Sequence, residues 1–263
     1  MENLVTDKKS GLSIKKSIFV VISFLVLDFV FRVIWESLST SLQSAGINVN
    51  NVNTYAHELI SIITYSIFIK VYKLIVPNKL KFSNTIKIDK YIFIALIIIG
   101  YIFIYDNTLN LFLCKLTTNS WYNEFIKESL DSPIIMIIGA IIVAPIFEEI
   151  LCRGIILEGL LLRNKPYISI IISSLIFSIM HGNLVQIPNA FFIGVIIGII
   201  YYKTKSLLPC IFAHFTNNFF VTIDYCNPGL YNADKFSIVK LSIGIILFVG
   251  SIWVVRNKSN NTN

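Results

Sequence analysis

Apolar residues along this chain come in long runs separated by short polar, mostly basic connections. Neither the alternation of a strand nor the one-sided stripe of a soluble helix prevails. A helix rises 1.5 Å per residue, so about 20 apolar residues cross the hydrocarbon core of a bilayer. Eight runs are candidates, at about 17–36, 56–76, 90–105, 133–162, 166–181, 189–203, 206–226 and 236–255. The pattern predicts an all-α fold, a polytopic transmembrane helical bundle. A basic segment at 1–16 precedes a single helical domain at 17–255, and a polar tail follows at 256–263. The first run, "SIFVVISFLVLDFVFRVIW", follows a basic start as a signal peptide would. It is too long for a signal-peptide core and no small-residue cleavage site follows, so it reads as a retained span.

The connections carry topology. Lys8, Lys9, Lys15 and Lys16 precede the first run, and Lys70, Lys73, Lys79, Lys81, Lys87 and Lys90 surround the second connection. Arg163 and Lys165, Lys203 and Lys205, and Arg256 and Lys258 mark the fourth, the sixth and the C-terminus, whereas Ser37 to Tyr55 and Gly182 to Asn189 hold no Lys or Arg. This alternation is the positive-inside pattern, and an even number of spans places both termini in the cytoplasm.

Composition agrees. Of 263 residues, 55% are hydrophobic and 14% charged, against about 25% charged in an ordinary soluble domain, and mean hydropathy is +0.74. The net charge of +7 belongs to the inner connections and not to a nucleic-acid surface. Heavy use of Ile, Asn and Lys points to an AT-rich bacterial genome and so to a bacterial cell membrane. Cys152 and Cys210 fall inside predicted spans as small apolar groups, and spacing alone does not decide whether Cys114 and Cys226, both expected outside, pair.

Several smaller features have structural readings. Asp28 and Arg32 lie one turn apart and can neutralise each other. His57 and Glu58 are expected at the membrane interface. In the loop 106–132, "TTNSWYNEFIKESL" suits a short interfacial helix with Trp121, Tyr122 and Phe125 against lipid. Gly194 and Gly198 form a G-x-x-x-G pair that permits close helix approach.

The stretch "IIGAIIVAPIFEEILCRGIILEGLL" is of another kind, because it places Glu148, Glu149 and Arg153 inside an apolar helix. An ionisable group at mid-bilayer costs about 2.5–3.5 kcal/mol on insertion scales and marks function by default. His181 ends the fifth run in "FSIMHGN", and His214 and Asn218 lie in the seventh in "CIFAHFTNNFF". Counted from their inner basic flanks at 1.5 Å per residue, Glu149 lies about 21 Å deep, His181 about 24 Å, Asn218 about 20 Å and His214 about 13 Å. Three helices therefore bring polar groups to comparable depths, consistent with one cavity. Glu149 and Arg153 are four apart, as are His214 and Asn218, so each pair shares a helix face. Glu148 is turned about 100° from Glu149, so one acid pairs with Arg153 and the other faces the cavity. Phe177 precedes His181 by one turn and is placed to pack over it.

Taken in order, "EEILCR" (Glu148, Glu149, Arg153), "FSIMH" (Phe177, His181) and "HFTNN" (His214, Asn218) fit E-E-x-x-x-R, F-x-x-x-H and H-x-x-x-N. On successive membrane helices they resemble the CAAX protease and bacteriocin-processing (CPBP, or Abi) family of intramembrane endopeptidases, over a core at 133–226. Gly154 after Arg153 also fits. The resemblance implies cleavage of a peptide bond within or beside the membrane. By that analogy Glu148, as general base, and His181 hold a water, His214 and Asn218 bind the oxyanion, and Glu149 with Arg153 orients the site. Hydrolysis needs such a base and such donors. A metal-free glutamate mechanism without cofactor is favoured. The alternative is a zinc site of Glu148, His181 and His214 with water in the fourth position, although no H-E-x-x-H is present to pre-arrange ligands on one helix.

Two other function classes compete. One is a non-catalytic bacteriocin-immunity or peptide-binding membrane protein using the same cavity. The other is a proton-coupled transporter, which the lack of repeated halves disfavours. The partners expected of the enzyme are the lipid bilayer and a peptide or protein substrate at the membrane, with no nucleic acid. The terminal "NNTN" carries no prenylation signal of its own.

Overall fold

The computed structural model describes residues 11–75, 80, 82, 86–116, 133–226 and 235–260. Among them the fold is all-helical, with no strand. The helices are α1 (Ile14–Ser44), α2 (Asn50–Ile75), α3 (Ile88–Asp106), α4 (Leu109–Leu116), α5 (133–161), α6 (Pro166–Met180), α7 (Gln186–Thr204), α8 (Leu207–Cys226) and α9 (Ile238–Asn260). The interfacial helix expected around Trp121 lies outside the described residues, as do the side chains of Cys114 and Cys226.

Local sequence sets the ends. The Ser13 hydroxyl accepts the Lys16 N–H at 3.2 Å and caps α1, while Gly46 takes φ +83° just beyond its end. Pro166 opens α6, where a missing N–H is harmless. After α6, Gly182 turns the chain at φ +68°, and the Asn183 side chain accepts the Gln186 N–H at 2.8 Å to start α7.

Helices occupy all eight expected positions, and the chain is a multi-pass integral membrane protein. Four stretches are apolar and long enough to cross a bilayer by themselves: Ile14–Ser44, Ile88–Leu113, Gln186–Thr204 and Ile238–Asn257. The second joins α3 and α4. The rest, α2, α5, α6 and α8, are shorter or carry polar residues, and three of these four bear the candidate site. Large apolar side chains such as Phe19, Phe29, Ile246 and Trp253 are exposed on α1 and α9, as a lipid-facing surface requires.

The middle of α5 is the opposite case. Every residue from Glu149 to Leu157 is buried, with α6, α7 and α8 packed around it. Gly194 and Gly198 of α7 permit this density: a Cβ on Gly194 would lie 3.2 Å from Ser174 Cβ and 3.3 Å from Phe177 Cδ1, both on α6. The expected close approach is therefore present. Elsewhere, the Tyr101 hydroxyl on α3 donates to Asn189 Oδ1 on α7 at 2.6 Å.

The Asp28–Arg32 pair forms at 2.6 Å and extends further than its spacing suggested. Arg32 also donates to Ser61 Oγ at 2.8 Å and meets His57 Nδ1 at 3.4 Å, and His57 Nε2 faces Glu36 Oε1 at 3.1 Å. His57 thus ties α2 to α1. Glu58 is likewise more than interfacial, because its carboxylate packs on Gly139 of α5, where a Cβ would come within 2.7 Å.

Candidate active site

The site is built on irregularities of α5. Two π-helical segments, Gly139–Val143 and Ile150–Leu157, flank the α-helical turn Ala144–Glu149 that carries both acids. Inserted π turns concentrate at functional sites because they re-aim side chains and release backbone groups. In the first segment the Ala144 N–H bonds back five residues to the Gly139 oxygen. The next acceptor in this register, the Ala140 carbonyl, would take the N–H of residue 145. That residue is Pro145, which has none. The Asn218 side chain supplies the missing donor, with Nδ2 at 2.8 Å from the Ala140 oxygen.

One turn further, the two acids separate as their spacing requires. Glu149 is fully buried, with Oε1 3.0 Å from Arg153 Nη1 and 2.8 Å from His214 Nδ1. Arg153, also fully buried, donates from Nη2 to the Gly194 carbonyl at 3.0 Å, and its guanidinium lies 4.7 Å from the centre of the Phe177 ring. An ion pair in this setting needs such extra partners to offset desolvation. Glu148 retains about a fifth of its side-chain exposure, and its Oε2 stands 3.9 Å from His214 Nε2. His214 therefore sits between the two carboxylates, one against each ring nitrogen.

Phe177 joins the third helix to this group. Its ring meets the His181 ring edge-on at 4.9 Å and the His214 ring at 5.6 Å. His181 Nδ1 lies 3.0 Å from the Phe177 carbonyl. A carbonyl only accepts, so Nδ1 carries the proton and Nε2 is the free acceptor. Glu148, Glu149, Arg153, Phe177 and His214 thus form one connected group. His181 reaches them through Phe177, with no hydrogen bond to either acid. Asn218 occupies the His214 face of α8, one turn along, and its Oδ1 accepts from Asn217 Nδ2 at 3.0 Å.

Much of this was outside the reach of sequence spacing. The motifs pair His214 with Asn218 as a donor and give no sign of its bond to Glu149. Nor do they mark the Gly194 and Ala140 carbonyls as side-chain acceptors. Pro145 inside a helix was the available signal for the second. For the zinc alternative, no three His, Cys, Asp or Glu side chains among the described residues converge as metal ligands.

An open apolar groove of about 420 Å³ is lined by Tyr91, Ile141, Ile142, Ile146, Leu208, Ile211, Phe212 and Phe215. It lies between α3, α5 and α8.

Comparison with known proteins points the same way. Residues 130–220 match the family model described as Type II CAAX prenyl endopeptidase Rce1-like, a span that contains every motif residue. The chain is 34% identical over 105 residues to YdiL of Bacillus subtilis (strain 168), named as a membrane peptidase, covering 40% of this chain and 43% of that protein. This match spans less than half of YdiL. The chain is also 26% identical over 222 residues to the membrane-embedded CAAX protease MroQ of Staphylococcus aureus (strain USA300), covering 79% of this chain and 87% of that one. No solved structure matches the chain significantly. The family resemblance read from the three motifs is borne out.

Proposed function

We propose that this multi-pass membrane protein, with its Rce1-like segment at residues 130–220, is an intramembrane endopeptidase. It hydrolyses a peptide bond in a membrane-associated or leader-bearing peptide or protein. The observation that carries the reading is His214, held at Nδ1 by Glu149 at 2.8 Å and facing Glu148 with Nε2 across 3.9 Å. That gap is too long for a direct hydrogen bond. It suits one oxygen atom bonded to both groups.

In this scheme Glu148, the more exposed acid, is the general base. A water between Glu148 and His214, with His181 Nε2 as a further acceptor, loses a proton to Glu148 as its oxygen bonds to the substrate carbonyl carbon. The carbonyl π electrons move onto the oxygen. Protonated His214 and the second N–H of Asn218 donate to that oxyanion. Collapse of the intermediate then breaks the C–N bond, and Glu148 returns its proton to the departing amine. Glu149, neutralised by Arg153, fixes the His214 ring. No step in this scheme is routed through a metal.

The test is cleavage of a membrane-peptide library by purified protein in detergent, wild type beside Glu148→Gln, each with and without a strong zinc chelator. Loss of the general base should lower the rate about 10²–10⁴-fold, with the wild type indifferent to chelator and free of stoichiometric metal by direct analysis. Activity removed by chelator and restored by zinc would replace the metal-free scheme. Cleavage by Glu148→Gln at the wild-type rate would remove the site.

A further inference from the structure

The segment matched by the family model begins at residue 130, yet α2, far upstream in the chain, also reaches the site. The Tyr65 ring stacks on Phe147, the residue before Glu148, with centroids 5.2 Å apart and planes 22° apart. Its other side is held by Phe24 of α1, at 4.5 Å, which in turn meets Phe68 edge-on at 5.6 Å. The ring is thus clamped between α1 and α5.

Its hydroxyl is another matter. Among the described residues it makes no hydrogen bond, and Tyr65 is only partly buried, so the hydroxyl is available to donate. The stack on Phe147 sets the phenol beside the turn of α5 that carries Glu148, and the Glu148 carboxylate is the first of the charged groups that act on it, ahead of Asp28 and Arg32 from α1.

The oxyanion needs donors there, and those the motifs offer are partly committed. Asn218 Nδ2 already serves the Ala140 carbonyl, and His214 Nδ1 serves Glu149. We propose that Tyr65 is a further catalytic residue, whose hydroxyl donates a hydrogen bond to the carbonyl oxygen of the substrate peptide as it becomes the oxyanion. The proton stays on Tyr65. The new C–O bond, the proton taken by Glu148 and the departure of the amine are as in the scheme above, on which this inference rests.

The experiment uses the full-length protein in detergent with a fluorophore–quencher library of apolar peptides, comparing wild type, Glu148→Gln, Tyr65→Phe and Tyr65→Leu. Phe retains the stack between Phe24 and Phe147 and removes only the donor. Tyr65→Phe is expected to lower kcat by about 100-fold or more, as loss of one oxyanion donor does, with KM and the thermal midpoint unchanged. Tyr65→Leu is expected to lose the stack as well, with a lower midpoint. A Tyr65→Phe enzyme with wild-type kcat overturns the proposal, as does one whose activity falls only in step with its midpoint. Failure of the underlying reading shows separately, as undiminished cleavage by Glu148→Gln, and Tyr65 would fall with it.

Discussion

Asn218 Nδ2 lies 2.8 Å from the carbonyl oxygen of Ala140, the acceptor that Pro145 leaves without a backbone donor in the π register of α5. A proline, a π turn and an asparagine from another helix therefore form one unit. The unit fixes how α5 meets α8 just before Glu148, and it leaves Asn218 one N–H for other use.

This coupling predicts the outcome of a mutant cycle. Asn218→Ala strands the Ala140 carbonyl away from water, at a cost of about 1–3 kcal/mol. Pro145→Ala restores an N–H at the position facing that carbonyl. The cost of Asn218→Ala should therefore shrink when measured on the Pro145→Ala background, by thermal unfolding in detergent. Equal costs on both backgrounds would mean that the two residues act independently.

The Glu149–Arg153 pair predicts an order of severity. Both side chains are fully buried, so removing one charge strands the other, typically at 3–5 kcal/mol. Arg153→Ala should be among the most destabilising single changes in the chain, seen as a lower thermal midpoint. Glu149→Gln keeps an oxygen that can accept from His214 Nδ1, so it should retain more activity than Glu149→Ala, which leaves the ring unheld. Equal activity in the two Glu149 variants would show that the bond to His214 does not matter for turnover.

How far the sequence reveals this site depends on whether a feature is set within one helix. Spans follow from the length of the apolar runs, while the Asp28–Arg32 pair, the Glu149–Arg153 pair and the Phe177 contact with His181 follow from residues four apart on one helix. What stayed hidden lies between helices. His214 meets Glu149 across 65 positions of sequence, and Arg153 meets the Gly194 carbonyl across 41. No one-dimensional pattern specifies a backbone acceptor on another helix. Tyr65 is harder still, because one tyrosine among 12 in an apolar run reads as ordinary packing until the fold sets it on Phe147.

Gly194 allows the packing of α6 on α7 to be tested against a control within the same protein. A methyl group at Gly194 would sit 3.2–3.3 Å from Ser174 and Phe177 of α6, so one helix must give way. Overpacking of this kind costs typically about 1–3 kcal/mol. A Cβ at Gly250, in α9, meets nothing within 4 Å, and Ala there should be neutral or stabilising by up to about 1 kcal/mol, its advantage over glycine in a helix. Gly194→Ala also disturbs two parts of the site together: the carbonyl that accepts from Arg153 and the Phe177 ring that meets both histidines. Its kcat should fall more than its thermal midpoint alone accounts for, while Gly250→Ala keeps wild-type turnover. If Gly194→Ala matched Gly250→Ala in both midpoint and kcat, α6 and α7 would not be packed as closely as these contacts require, and the Phe177 link from His181 to His214 would lose its support.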